Sequence, residues 1–256
     1  MSDGKFLERI LSVKEQENAK LEVEDIKPLR KTYSFYDYVK AHNDRVHVIA
    51  EVKKASPSLG AINMDVDLLE QARSYEAAGA SMISVLTDEP FFKGHIDYLR
   101  EISDEVAIPT LNKDFIIDEK QIIRGRNAGA TVILLIVAAL SKKRLQELFD
   151  FATSLGLEVL VETHNLAELE IAHQIGAKII GVNNRDLTTF KTDLQTSVDL
   201  IPYLKSEPVY ISESAIVTAD DVKRLVPAYD GILCGTTLMQ SENVTTKLKE
   251  LAIDKG

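Results

Sequence analysis

From Val46 onward the chain alternates short, nearly continuous apolar runs with longer stretches in which apolar residues recur at helical spacing. The short runs are Val46–Val52, Ser81–Leu86, Ile108–Leu111, Thr131–Ile136, Glu158–Val161, Lys178–Val182, Val209–Ile211 and Gly231–Cys234. They read as strands buried on both faces, as in a parallel sheet. The helical stretches lie near Asp67–Ala78, Ile96–Ile102, Glu119–Asn127, Lys142–Leu155, Ala167–Gln174, Thr196–Leu204, Ala219–Leu225 and Glu242–Ala252. At Ala78-Gly79-Ala80, Ala128-Gly129-Ala130 and Ile175-Gly176-Ala177 a helix stop meets a strand start, with glycine as the left-handed cap. Eight strand–helix units at a spacing of about 26 residues predict an α/β fold, a (β/α)8 TIM barrel. A doubly wound open sheet is the alternative, but no G-x-G-x-x-G follows the first strand.

Residues 1–45 precede this repeat and read as a helical N-terminal extension packing on a barrel of residues 46–256. Phe6, Leu7, Ile10, Leu11 and Val13 predict one amphipathic helix, and Phe35–Ala41, after Ser34 as N-cap, a second.

Length and composition narrow the class. A chain of 256 residues suits one barrel. With 45% apolar residues, 6% aromatics and no Trp, its core must be aliphatic. The net charge of −10 argues against nucleic acid or an anionic membrane as a general partner, yet leaves room for a small anionic substrate in a locally basic pocket. The single cysteine, Cys234, excludes an internal disulfide framework and a multi-Cys metal site. His42, His47, His95, His164 and His173 show no metal-ligand spacing. The N-terminus lacks the apolar core of a signal peptide, and the longest apolar run, Thr131–Leu140, falls short of the roughly 20 residues that span a bilayer. The expectation is a cytoplasmic, monomeric protein that takes a small molecule, needs no metal and works by proton transfer rather than hydride transfer.

The chemistry collects at strand ends. The first strand runs into Glu51 and Lys53, which share a face because strand positions i and i+2 point the same way. Two charges at the end of an apolar strand cost desolvation energy that stability alone would not choose. A solvated surface ion pair is the ordinary alternative. In a barrel the active site lies at the C-terminal ends of the strands. There the later strands lead to Phe91-Phe92, Lys113-Asp114-Phe115, Leu134, Glu162, Asn183-Asn184-Arg185, Ser212-Glu213-Ser214 and Gly235-Thr236. Taken singly, each is an unremarked surface charge, turn or cap. Converging on one mouth over an apolar floor, they form an acid–base site. Desolvation and neighbouring cations would lower the lysine pKa values, and nearby carboxylates would oppose that shift. Ser214, Gly235 and Thr236, on the loops after strands seven and eight, sit where this fold seats phosphate, and Ser56 on the first loop would close that pocket.

These motifs together resemble a known family. Ile49-Ala50-Glu51-Val52-Lys53-Lys54-Ala55-Ser56-Pro57-Ser58 is similar to the first-strand signature of indole-3-glycerol phosphate synthases. The likeness continues through Ser84–Gly94, Lys113–Asp118, Leu134–Ile136, Val159–Glu162, Gly181–Leu187 and Ile211–Ser214. The resemblance implies a phosphorylated substrate, 1-(2-carboxyphenylamino)-1-deoxyribulose 5-phosphate, which is ring-closed, decarboxylated and dehydrated without a cofactor. It implies Lys113 as general acid, Glu162 in later proton transfers, and Lys53 with Glu51 in dehydration. Asn183 and Glu213 would hydrogen-bond the substrate and Arg185 support it electrostatically. Phe92, Phe115 and Leu134 would pack the anthranilate ring, and Ser56, Ser214, Gly235 and Thr236 would hold phosphate. Ala215 departs from the family's usual glycine after Ser-Glu-Ser, which puts a strained backbone and weaker phosphate binding in view. A related isomerase would need a Cys–Asp pair where the first strand has Glu and Lys; a Schiff-base aldolase and a non-catalytic phosphate-binding barrel are the other readings.

Overall fold

A computed structural model of the chain describes residues 5–30, 32–53, 55–56, 60–61, 67–187 and 189–255. Eight parallel strands close into a barrel, each paired with its neighbours in chain order and the last with the first. They are His47–Val52, Met82–Leu86, Thr110–Lys113, Val132–Ile136, Glu158–Thr163, Ile179–Asn183, Val209–Glu213 and Gly231–Cys234. We refer to them as the first to eighth strands.

Strand alternation divides the apolar residues into two cores. Val48, Ala50, Ile83, Val85, Ile133 and Val161 face the surrounding helices. Ile49, Met82, Leu111, Val132, Leu160 and Ile211 fill the barrel. The junction glycines Gly79, Gly129 and Gly176 have φ of 99°, 104° and 77°, the left-handed conformation their position in the repeat requires.

The third, fifth, sixth and seventh strands run further than their apolar runs suggest, to Lys113, Thr163, Asn183 and Glu213. The cause is physical. Ladder hydrogen bonds join backbone groups and ignore side-chain polarity, so pairing continues through inward-facing charges. Lys113 lies opposite Leu86, Glu162 opposite Ile136, and Glu213 opposite Asn183. The helical stretch expected over Thr196–Leu204 is instead a helix, Gln195–Leu200, followed by a 3-10 turn at Ile201–Tyr203. Pro202 has no N–H to continue an α-helical ladder there. Two short helices, Glu89–Phe92 and Thr236–Met239, lie at the barrel mouth and have no counterpart in the helical periodicity.

Helix α1 spans Lys5–Lys20 and helix α2 spans Phe35–Ala41. Ser34 caps α2 by accepting from the Asp37 N–H. The Glu158 carboxylate, at the start of the fifth strand, accepts from the Phe35 and Tyr36 N–H groups at 2.6 and 3.0 Å. Lys40 of α2 donates to the carbonyls of Ser206 and Pro208, just before the seventh strand. Helix α2 therefore closes the N-terminal end of the barrel, with Phe35 and Val39 in its interior core. Helix α1 covers the opposite end, where Phe6, Leu7 and Ile10 reach the mouth.

Candidate active site

The four odd-numbered strands each place one charged side chain in the uppermost layer of the barrel: Glu51, Lys113, Glu162 and Glu213. Alternate strands supply successive interior layers in this fold. One layer down, the same strands supply Ile49, Leu111, Leu160 and Ile211, so the charges rest on an aliphatic floor. The Lys113 ammonium lies 2.9 Å from Glu213 and 3.5 Å from Glu51. Lys53 meets the other Glu51 oxygen at 2.6 Å, which places the first strand's pair on one face as i, i+2 spacing requires.

Burial disfavours the charges of Glu51, Lys113, Glu162 and Glu213, and their neighbours oppose it to different degrees. For Lys113, burial works downward, but the Glu213, Glu51 and Glu162 carboxylates outweigh it and hold the ammonium above the ordinary lysine range. The carboxylates thus win the contest that the sequence leaves open, and Lys113 rests protonated. Burial pushes Glu213 up to about 7 against the pull of Lys113, and Glu162 adds to the rise. Burial opposes ionisation of Glu162 too, yet His164 and Lys113 hold it down to about 2. Glu51 is likewise kept below the usual carboxylate range by Lys53 and Lys113, against burial. The second oxygen of Glu213 has no donor to accept from, and Glu162 lies within hydrogen-bonding reach. Below about pH 7 Glu213 carries a proton and donates it in a hydrogen bond to Glu162, and above that it is the carboxylate that faces Lys113.

Above this layer a cleft encloses about 1120 Å³, open solvent at its entrance included. Phe92 and Phe115, with ring centroids 6.1 Å apart, line one side, and Leu134 lies on the floor. Ser214, Ala215, Gly235 and Thr236 line another part of the wall. Ser214 and Ala215 have φ of 65° and 62°, both left-handed. Asn183 accepts the Arg185 N–H at 3.0 Å and also steadies Glu162.

A family model for indole-3-glycerol phosphate synthase matches residues 6–251 of the chain. The indole-3-glycerol phosphate synthase of Streptococcus pneumoniae strain CGSP14 is 69% identical over 251 residues, which cover 98% of each chain. The protein of that name from strain D39 matches to the same extent, 69% over 251 residues. The chain belongs to the indole-3-glycerol phosphate synthase family. That family consists of carboxy-lyases of tryptophan biosynthesis. Among solved structures, 3-hexulose-6-phosphate synthase from Salmonella typhimurium aligns with a TM-score of 0.63 at 12% identity, over 80% of this chain and 96% of that one. Thiamine phosphate pyrophosphorylase from Pyrococcus furiosus aligns at 0.59 and 16% identity, over 82% and 95%. At those identities the likeness concerns the barrel alone.

Of the residues that the indole-3-glycerol phosphate synthase motifs single out, Glu51, Lys53, Phe92, Lys113, Phe115, Leu134, Glu162, Asn183, Arg185, Ser214, Gly235 and Thr236 line one cleft. Glu213 stands behind Lys113 with no exposed surface. The Ser56 side chain lies outside the described residues. Among described residues, no helix is long and apolar enough to cross a membrane.

The geometry adds His164, which the motifs leave out, and gives Asn184, Gly181 and Gly235 supporting roles that the motifs do not. His164 lies between Glu162, at 3.3 Å from Nε2, and Glu168, at 3.0 Å from Nδ1. Burial would lower its pKa, but the two carboxylates raise it to about 10, so it is a cation beside Glu162. Its place two residues after Glu162 is the same i, i+2 signal that joins Glu51 to Lys53. Asn184 donates to Ser212 Oγ and the Glu213 carbonyl and accepts from the Ser197 N–H, binding the sixth and seventh strand ends together. Gly181 and Gly235 leave room for carboxylates: a Cβ on Gly181 would collide with Glu213, and one on Gly235 would lie 2.5 Å from Glu51 and 2.8 Å from Lys53.

Proposed function

We propose that the chain carries out its family's reaction with the acid–base roles set by this charged layer. The observation that carries the assignment is Lys113, a lysine held protonated by Glu213 and Glu51 at the base of an aryl-lined cleft. The substrate's anthranilate ring packs against Phe92, Phe115 and Leu134, and its phosphate sits against Ser214, Gly235 and Thr236, with Ser56 from the first loop. Arg185 and the two lysines offset the substrate's own carboxylate. Asn183 hydrogen-bonds the substrate, and Glu213, buried behind Lys113, acts on it through that ammonium.

In the first step the aromatic carbon that bears the carboxylate attacks the ketone carbon, and the carbonyl oxygen takes a proton from Lys113. The oxyanion that develops is more basic than an amine, so even a strongly held ammonium gives up its proton as charge accumulates. The bond to the carboxylate then breaks, CO₂ leaves, and the electron pair restores the aromatic ring. The new hydroxyl departs as water after a second protonation, assisted by Lys53 beside Glu51, while Glu162 takes the proton lost from the ring carbon next to nitrogen. Two protons are given and one is returned, so each turnover draws one from solvent. Glu162 suits the base role because His164 and Lys113 keep it ionised at neutral pH.

The test is indole fluorescence on adding 1-(2-carboxyphenylamino)-1-deoxyribulose 5-phosphate, against a background free of Trp. Turnover by the chain, lost in Lys113→Ala while substrate binding is kept, is the expected result. Tight binding without turnover in the unmutated chain overturns the reading in favour of a phosphate-binding barrel.

A further inference from the structure

Helix α1 carries a buried cation that the reaction does not use. Lys14 is 2% exposed, a rare state for a lysine, and its ammonium lies 2.8 Å from Asp88, 2.9 Å from Asp114 and 2.9 Å from Glu17. Asp88 and Asp114 are themselves buried and come from the loops after the second and third strands. Each is tied into the cleft. Asp88 caps the short helix Glu89–Phe92 by accepting from the Phe91 and Phe92 N–H groups at 2.9 and 3.1 Å. Asp114 follows Lys113 directly, accepts the Phe115 N–H at 2.8 Å and takes the Thr87 hydroxyl at 2.6 Å. One turn further along α1, Asn18 donates to Gln121 at 2.9 Å, and Gln121 in turn donates to the Phe115 carbonyl at 3.0 Å. Ile10, Lys14 and Asn18 thus form one buried stripe at helical spacing, apolar over the cleft and polar over the third-strand loop. At the N-terminal end of the helix, Phe6 packs edge-on against Phe91 and Phe190, with centroids 5.6 and 4.6 Å away.

We infer that Lys14 is a positioning residue for the reaction: it latches α1 to the ends of the second and third strands and so sets the roof against the aryl half of the substrate. The inference rests on the proposed function for what the roof covers. The geometry of the latch stands apart from it. Lys14 bridges two carboxylates on different loops, so it fixes three elements relative to one another: the roof, the helix bearing Phe92, and the segment bearing Lys113 and Phe115. Among the described residues its ion partners are Glu17, Asp88 and Asp114, and none comes from the seventh and eighth strand loops that form the proposed phosphate end.

The test compares Lys14→Met with the unmutated chain in steady-state turnover, in competitive inhibition by inorganic phosphate, and in amide hydrogen exchange along α1. KM is expected to rise about tenfold, with kcat and the phosphate inhibition constant each within about threefold. Exchange is expected to quicken along α1 and not at the seventh strand. An unchanged KM in a folded variant, or an equal loss of phosphate affinity, overturns the inference, because the first denies positioning and the second indicates general damage. Should Lys14→Met fail to fold, Asn18→Ala removes the second tie without stranding a charge. It should raise KM about threefold, and no change there counts against the latch. Absence of turnover in the unmutated chain is a failure of the functional reading alone; the latch is then judged by α1 exchange, where unchanged protection in the variant defeats it.

Discussion

The Lys113 ammonium reaches across the barrel from the third strand to the Glu213 carboxylate on the seventh, 2.9 Å away. These strands stand opposite one another in a ring of eight, so the contact crosses the barrel interior. It does more than satisfy a buried charge. It keeps the proposed acid protonated and fixes its position above the aliphatic layer of the barrel. Replacing Glu213 with Gln removes the nearest counter-charge and lets burial act on Lys113 with less opposition. The Lys113 pKa is therefore expected to fall in Glu213→Gln, and kcat to drop about 10²-fold or more. Product fluorescence across pH measures both. An unchanged kcat would place the acid elsewhere.

The second carboxylate of the layer is governed from behind. His164 is a cation between Glu162 and Glu168, and its raised pKa of about 10 is a statement about stability. A histidine whose folded pKa lies above its unfolded value adds stability that is complete below about pH 6.5 and disappears as pH climbs toward the folded value. The chain is therefore expected to lose stability on the order of a few kcal/mol between pH 6.5 and 10, and His164→Asn to lose much less over that window. Urea unfolding at fixed pH steps would show it. The same variant removes the cation that holds Glu162 at about 2, so the acid limb of kcat should move upward in pH. An acid limb that stays put would separate His164 from the proposed catalytic carboxylate.

Two glycines act as cut-outs for this layer, a role unconnected with backbone freedom. Adding a methyl at Gly181 drives it into Glu213, and at Gly235 into the Glu51–Lys53 pair. Gly235→Ala is expected to cost about 1–3 kcal/mol of stability and to reduce kcat more than KM, since it displaces charges that the chemistry uses. Steady-state kinetics beside a denaturant midpoint distinguish this from simple overpacking, which would lower stability and leave kcat intact.

The barrel was legible because its two periods, one for strands and one for helices, recur through the chain with little interruption. The junction glycines and the i, i+2 pairing of Glu51 with Lys53 were readable for the same reason: local geometry determines them. The strand ends were not, because an inward charge at the top of a barrel looks like the start of a loop when only the apolar run is followed. His164 is within reach of the rule that joins Glu51 to Lys53, since it stands two residues after Glu162, although the histidine spacing points only away from a metal site. Lys14 was out of reach. Among the lysines and glutamates of an amphipathic helix it reads as a solvated side chain, and its carboxylate partners are distant in sequence and near only after the barrel closes.

Ala215 offers the sharpest test of the proposed phosphate end. It follows Ser214, and both residues hold left-handed backbone, at φ of 62° and 65°. A left-handed residue with a Cβ is strained by roughly 1–2 kcal/mol, and Ala215 lies on the cleft wall beside Gly235 and Thr236. Ala215→Gly relieves that strain but loosens the unfolded chain, which takes back about 0.4–1 kcal/mol. The net gain in stability is therefore small, between about 0 and 1.6 kcal/mol. Binding should respond more clearly. Without the methyl, the backbone can approach a phosphate more closely, so KM for the phosphorylated substrate and the inhibition constant for inorganic phosphate should fall together, with kcat unchanged. That pattern marks an interaction shared by ground state and transition state. A KM that falls without any change for inorganic phosphate would move the phosphate away from the loop at Ser214 and Ala215.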